Sequence, residues 1–279
     1  MLNFLRKRAP EPAPDVAPEF LAAAERFKED GYVVFENAVD HALIDRFWEE
    51  METALASNPD VRMSVRGENV SNAEFNYAEA EPKDRRAVRV INAECVAPSA
   101  PEMMLAPVVV EFFKAWYGGG PTCIQTLTYA YSSQQGAHSD KYFVTPRSVG
   151  PAYKRDTLAA SWIACEDADE ANGALIVYPG SHTLKKKRLK EDFGGNYPSY
   201  AQHLRDLCKE AGIKPETFRA KKGDVLFWQS DFVHAGGRIQ DPERTRKSLV
   251  CHYANVPADA ASKNPEREKK AFGEGWYYA

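Results

Sequence analysis

The segment GDVLFWQSDFVHAGG, residues 223–237, reads as a turn, an aromatic-rich strand and a histidine set just before a Gly-Gly turn. Short segments of the same character lie on both sides of it: TCIQTLTYAY (122–131), AHSDKYFV (137–144), DTLAASWIAC (156–165), GALIVYPG (173–180) and RKSLVCHYANV (246–256). Turn chemistry such as ANG, YPGSH, KKGD and IQDPERT separates them. Many short strands bounded in this way make a sandwich or a barrel.

The chain before Thr122 differs. APEFLAAAERFKEDG (17–31) predicts a helix stopped at Gly31, and YVVFENAV (32–39) a strand. DHALIDRFWEEMETALA (40–56) predicts a helix capped by Asp40, and PEMMLAPVVVEFFKAWYG (101–118) another that ends at the GGGP turn. Residues 57–100 are polar and lack sustained periodicity, which predicts loops and short strands. The sum is a mainly β fold with flanking helices. A helical part over about 18–121 and a β-barrel over about 122–256 form one domain, 18–279, behind a flexible Pro-rich leader at 1–17. The insertion KEDFGGNYPSYAQHLRDLCKEAG (190–212) predicts a loop and a helix over one edge of the barrel.

Composition narrows the function. The chain has 279 residues, 44% hydrophobic and 27% charged, which is enough apolar material for a sizeable core. A net charge of -4 supplies no basic field for nucleic acid. The five cysteines are scattered, with no CxxC pair, and fit thiols in a reducing compartment. MLNFLRKRAPEPAPD lacks the apolar stretch of a signal peptide, and no run is long enough to span a membrane; the expectation is a cytoplasmic protein with a small-molecule substrate.

Within GAHSDKYFVTP (136–146), His138 and Asp140 stand two apart, so on an extended chain they face the same way. That pair alone is a cheap pattern. With His234 it becomes two imidazoles and a carboxylate, the ligand set of a non-haem Fe(II) oxygenase that leaves coordination positions open. The competing reading of His234 is a hydrogen-bonded histidine at a strand end. Arg246 opens the strand after His234. Projected into an apolar barrel, it requires an anion, which a dicarboxylic keto acid would provide; within ERTRK it reads equally as a solvated surface arginine.

Taken together, FKEDGYVVFENAVD (27–40), GAHSD (136–140), WIACEDADEANGALIVYPGSH (162–182), GDVLFWQSDFVHAGG and RKSLVCHYAN (246–255) resemble the phytanoyl-CoA dioxygenase family of iron and 2-oxoglutarate dependent oxygenases. The resemblance runs through most of the chain. It implies a double-stranded β-helix, also called a jelly roll or cupin-like barrel, with His138, Asp140 and His234 as iron ligands and Arg246 holding the distal carboxylate of 2-oxoglutarate. By the same resemblance Gln125 is a polar cosubstrate contact and Trp162 an aromatic near the site, with a plain core tryptophan as its alternative. Some relatives carry Ser two residues beyond the second histidine, where this chain has Gly236. Because position 140 is Asp rather than Ala or Gly, hydroxylation is implied rather than halogenation, with 2-oxoglutarate and O2 consumed and succinate and CO2 released.

Other residues invite functional readings. KKKRLK (185–190) reads as a solvated charge run, or as an anion site. His252 reads as core or as a neighbour of the metal ligands, and His182 as a stabiliser of its own turn. Lys141, Tyr142 and Phe143 follow the metal pair at the barrel mouth. Arg62, Arg66, Arg85, Arg86 and Arg89 lie in the preceding loops, where a polar or anionic substrate would suit them. A non-catalytic cupin-like binding protein is the rival reading, and it has no need of the four residues His138, Asp140, His234 and Arg246. A hydrolase would need a nucleophile or paired carboxylates beside the triad, and the sequence offers neither. No motif encodes the substrate or the oligomeric state.

Overall fold

Alternation along β11 (Ser248–Ala254) sorts the structure into two cores. Leu249, Cys251 and Tyr253 point one way, into a core shared with the helices, whereas Val250 points the other way into the barrel. In a computed structural model of the chain, residues 15–144, 157–257 and 267–279 are described. Residues 1–14 of the expected leader and the Tyr142 side chain lie outside them.

The chain opens with α1 (Pro18–Asp30), β1 (Tyr32–Phe35) and α2 (His41–Ser57). Gly31 ends α1 at φ 84°, and Asp40 caps α2 by accepting from Ala42 N. Residues up to 100 form β2 (Arg62–Val65), β3 (Glu68–Ser71), β4 (Val88–Ile91) and two single turns, α3 (Asn72–Phe75) and α4 (Pro82–Arg85). Where one helix was expected over 101–118 there are two, α5 (Ala100–Met104) and α6 (Pro107–Tyr117). Pro107 is the reason: it lacks an N–H and drives Ala106 to an extended ψ of 151°, so the helix restarts with Pro at its first position.

The remaining strands are β5 (Thr122–Tyr129), β6 (Ala159–Ala164), β7 (Leu175–Val177), β8 (Glu216–Phe218), β9 (Val225–Gln229), β10 (His234–Gly236) and β11, followed by a hairpin of β12 (Lys269–Phe272) and β13 (Gly275–Tyr278). Helices α7 (Leu189–Phe193) and α8 (Tyr197–Glu210) fill the insertion between β7 and β8. The large sheet runs β1-β9-β6-β11-β5-β4-β2-β3, and β13 pairs parallel with β5. The small sheet runs β10-β7-β8, with His138 bridging antiparallel to His234 at its free edge. These two facing sheets are the jelly roll, so the fold is mainly β with flanking helices. AHSDKYFV is not a strand: it gives one bridge at His138 and then a 3-10 turn over Asp140–Tyr142.

The helices pack on the outer face of the large sheet. Phe112 and Phe113 of α6 meet Phe227 of β9 with ring centroids 4.3 and 5.5 Å apart, and Phe27 of α1 meets Phe112 at 5.1 Å. The inner core holds Tyr129, Trp162, Leu226, Trp228, Phe232 and Val250. On this face the strands align in rows. Gln125 pairs with His252, His252 with Ala160, and Ala160 with Trp228. The next row inward is Leu127, Val250, Trp162 and Leu226.

Gly173, in the turn before β7, has φ 81°, and a Cβ there would lie 2.6 Å from Gly237 O and 2.7 Å from Ser132 Cβ. The Gly173→Ala variant is expected to lose about 2 kcal/mol or more of stability from the left-handed backbone and the clash together. Urea unfolding of the variant beside the wild type measures this; equal midpoints would mean that the turn yields freely.

Candidate metal centre

His138 and His234 are held together by their own backbones. Each N–H donates to the other's carbonyl at 3.0 Å, a closed antiparallel pair that sets both imidazoles on the inner face with ring centroids 4.2 Å apart. Ser139 is extended (φ -129°, ψ 147°), which returns Asp140 to the face of His138. The chain then turns, with Phe143 N and Val144 N both donating to Asp140 O at 2.9 Å, while Lys141 N donates to Ser230 O. A single extended residue therefore performs what a whole strand was expected to do.

All three side chains are buried. His138 Nε2 lies 3.7 Å and His234 Nε2 3.9 Å from Asp140 Oδ1. These separations are too long for hydrogen bonds. They can be bridged by one ion with bonds of about 2.0–2.2 Å. Among the described residues no other group of three His, Cys, Asp or Glu side chains converges in this way.

The surroundings select the metal-binding form. His138 Nδ1 lies 3.0 Å from Gly136 O and His234 Nδ1 3.2 Å from Phe232 O. A carbonyl can only accept, so each Nδ1 carries the proton and each Nε2 offers its lone pair toward Asp140. Burial lowers His138 to about 3, helped by His234 and opposed by Asp140, and burial likewise lowers His234. For Asp140 burial acts upward but is outweighed by His234, His252 and His138, so its carboxyl stays well below the usual range. Neutral imidazoles beside a carboxylate are the protonation states a divalent cation requires.

Asp140 is itself oriented. Trp228 Nε1 donates to Oδ2 at 2.7 Å, and His252 Nε2 lies 3.5 Å from the same oxygen, leaving Oδ1 toward the histidines. Sequence reasoning passed over Trp228, although it stands in the strand quoted first. The signal was its place six residues before His234 on the inner face of β9.

Arg246 is buried, 2% exposed, so the solvated alternative does not hold. Its Nη1 donates to Gly173 O at 3.2 Å and its guanidinium sits 5.5 Å from the ring centroid of Trp162. Burial lowers its pKa to about 10, opposed by Tyr129 and Glu166. No carboxylate pairs with it among the described residues, and three buried polar atoms here lack partners: Arg246 Nε, Trp162 Nε1 and Ser248 Oγ. Buried polar groups are nearly always satisfied, so the cluster has the chemistry of an anion receptor. Ser248, two residues beyond Arg246, joins it by strand alternation. Gln125 is half-buried in the row of His252, at the level of the metal ligands.

The remaining residues sort differently. A Cβ at Gly236 would lie 2.6 Å from Ser133 Oγ and 2.7 Å from Gln134 N, so a side chain has no room there. Arg66 pairs with Asp84, Arg85 binds the carbonyls of Ala78 and Ala80, Arg62 is exposed, and Arg86 lies 4.0 Å from Glu243. Arg89 differs, because Val88 and Val90 take the helix side of β4 and turn it toward Tyr129, whose phenol it helps hold down against the upward effect of burial. In KKKRLK, Lys185 and Lys187 are exposed, whereas Lys186 is tucked in and donates to Ser181 O and Leu184 O; burial lowers it to about 8. His182 reaches out of its own turn to Lys28 O at 3.2 Å, tying the turn to α1.

The family model for phytanoyl-CoA dioxygenase (PhyH) matches residues 27–248, from α1 to the first residue of β11. The chain belongs to the phytanoyl-CoA dioxygenase family. Enzymes of this family are iron and 2-oxoglutarate dependent oxygenases with O2 as cosubstrate. Peroxisomal phytanoyl-CoA dioxygenases of Rattus norvegicus and Homo sapiens are 24% and 23% identical over 82% of this chain. The match covers 66% and 67% of those proteins, so this chain spans about two thirds of their length. Among solved structures, the non-heme alpha ketoglutarate dependent epimerase SnoN from nogalamycin biosynthesis aligns with a TM-score of 0.61 at 17% identity, over 94% of this chain and 99% of its own. EctD from S. alaskensis, with 2-oxoglutarate and 5-hydroxyectoine, aligns at 0.59 and 15% identity over 93% and 88%. Both likenesses concern the fold. No helix among the described residues is long and apolar enough to cross a membrane.

Replacing Trp228 with Phe keeps an aromatic ring and removes the donor to Asp140. The expected result is a 10- to 100-fold weaker divalent-metal affinity, the usual scale for losing a partner that orients a ligand. Mn(II) titration followed by calorimetry measures it, and unchanged affinity would show that Asp140 needs no such support.

Proposed function

We propose that this chain is an Fe(II)- and 2-oxoglutarate-dependent hydroxylase of a small or carrier-linked, polar or anionic metabolite. His138, Asp140 and His234 are its metal ligands, and Arg246 anchors the cosubstrate. The observation that carries the reading is the pairing of a three-ligand centre with a buried, uncompensated guanidinium in the same barrel. A binding module gains nothing from that combination. The reading takes residues 18–279 as one catalytic unit, because β1 and β13 both join the sheet whose strand β11 follows Arg246. It keeps the cytoplasm as the compartment, in line with free thiols at all five cysteines.

The donor set fits iron. Two imidazoles and one carboxylate leave positions open, and bound iron with 2-oxoglutarate supplies oxidative decarboxylation coupled to hydroxylation. The chain's own residues prepare that chemistry. Gly136 O and Phe232 O hold the imidazole protons away from the centre, and Trp228 holds the outer oxygen of Asp140. Arg246, backed by the Trp162 ring, offers a planar fork to a carboxylate, with Ser248 Oγ and Trp162 Nε1 as further donors. In this reading Gln125, in the row of His252, is a polar contact for the cosubstrate. Water is excluded by the inner core of Tyr129, Leu226, Phe232 and Val250. Arg89, which no carboxylate neutralises among the described residues, supports an anionic group on the substrate.

Succinate release from 2-oxoglutarate by the anaerobically Fe(II)-loaded protein, then exposed to air, tests the assignment. Slow uncoupled turnover is expected in the wild type and none in His138→Ala. Arg246→Ala is expected to raise the 2-oxoglutarate requirement about 10- to 100-fold, the scale of a lost charged hydrogen bond. A wild type that neither forms succinate nor binds 2-oxoglutarate sinks the reading.

A further inference from the structure

Strands β7 and β8 pair antiparallel, with Val177 opposite Glu216, and a turn of two to five residues would connect them. The chain instead travels through α7 and α8 before returning. The buried face of α8 explains the detour. Tyr200, Leu204 and Cys208, spaced four apart, pack with Ala137 and Val233, the residues immediately before His138 and His234. The helix therefore lies against the backbone of both histidine segments.

A hydrogen bond from the first residue of α8 reaches the centre. Tyr197 O–H donates to Gly136 O at 2.8 Å, and this is the carbonyl that also receives His138 Nδ1 at 3.0 Å. Gly136 permits the close approach, since a Cβ there would come within 3.1 Å of Ala201 Cβ and 3.5 Å of Tyr197 Cε1. Phe143, which follows the metal-binding turn, lies between the same parts: its ring centroid is 6.1 Å from His138, 6.2 Å from Tyr197 and 6.0 Å from Tyr200. Burial raises the Tyr197 phenol, so it remains a donor at any working pH.

We propose that Tyr197 is a positioning residue for His138 and that the α7–α8 insertion is built around this task. By fixing the Gly136 carbonyl, Tyr197 fixes the acceptor that holds the Nδ1 proton, and so the direction of the Nε2 lone pair. The proposal rests on the metal reading of His138, Asp140 and His234. It assigns the insertion a role in metal affinity rather than in substrate contact or passive decoration.

The test uses the full chain, with Mn(II) as probe and calorimetry as readout. Tyr197→Phe keeps the ring and its packing and loses only the hydroxyl; it is expected to bind Mn(II) about three- to tenfold more weakly while the metal-free protein melts as before. Leu204→Ala, which loosens α8 where it packs near Ala137 but leaves the Tyr197 hydroxyl in place, is expected to melt lower and to weaken Mn(II) binding less than Tyr197→Phe does, at a temperature where both are folded. Equal Mn(II) affinity in Tyr197→Phe and wild type overturns the positioning role and leaves the metal reading standing. Equal weakening in both variants also overturns it, because helix packing alone would then account for the effect. A wild type that binds no Mn(II) overturns the metal reading and this proposal with it.

Discussion

The mutual backbone pair between His138 and His234 is the constraint on which the site depends. It is a single antiparallel bridge at the edge of a three-stranded sheet, yet it brings together two segments nearly a hundred residues apart in the chain. Everything nearby serves that bridge. The sheet register aims both imidazoles inward, their Nδ1 protons go to carbonyls two residues upstream, and Asp140 follows after one extended residue. Because the geometry resides in backbone hydrogen bonds, it is as rigid as the sheet.

The two faces of the large sheet divide the labour. The outer face, with Phe227, Leu249 and Tyr253, carries the aromatic and aliphatic mass that fixes the helices, while the inner face mixes apolar side chains with buried polar ones. Burying Arg246, His252 and Asp140 in a barrel this tight opposes folding. The apolar packing outside offsets that cost, and the concentration of it in one place marks the barrel interior as functional rather than merely structural.

Much of this was legible in sequence, for identifiable reasons. Alternation along RKSLVCHYAN puts Arg246, Ser248, Val250 and His252 on one face; β11 begins only at Ser248, not at Arg246, but Arg246 N donates to Ala130 O at 2.8 Å and so extends that register by two residues. The spacing of His138 and Asp140 also survives, although the strand supposed to hold it does not exist, because the two-residue rule needs only Ser139 to be extended. What was not legible depends on contacts between distant segments. Tyr197 and Gly136 are 61 residues apart, and no local pattern joins them. Trp228 looks like any core tryptophan until Asp140 is seen beside its indole nitrogen. The broken helix at Pro107 is different: Ala-Pro states the break plainly, and the apolar run through it concealed the signal. The β12–β13 hairpin went unread because its strands are short, the first opens on two lysines and the pair is completed only by β5.

The bond from Trp228 to Asp140 has an optical consequence. Indole emission responds to the charge and hydrogen bonding at its N–H, and here that N–H ends on an oxygen of the carboxylate that faces both histidines. A divalent cation that draws charge from Asp140 alters the field at the indole directly, with no conformational change required. One of the chain's five tryptophans is thus a chromophore wired to the centre by a single hydrogen bond, set where occupancy of the site would register in ultraviolet emission.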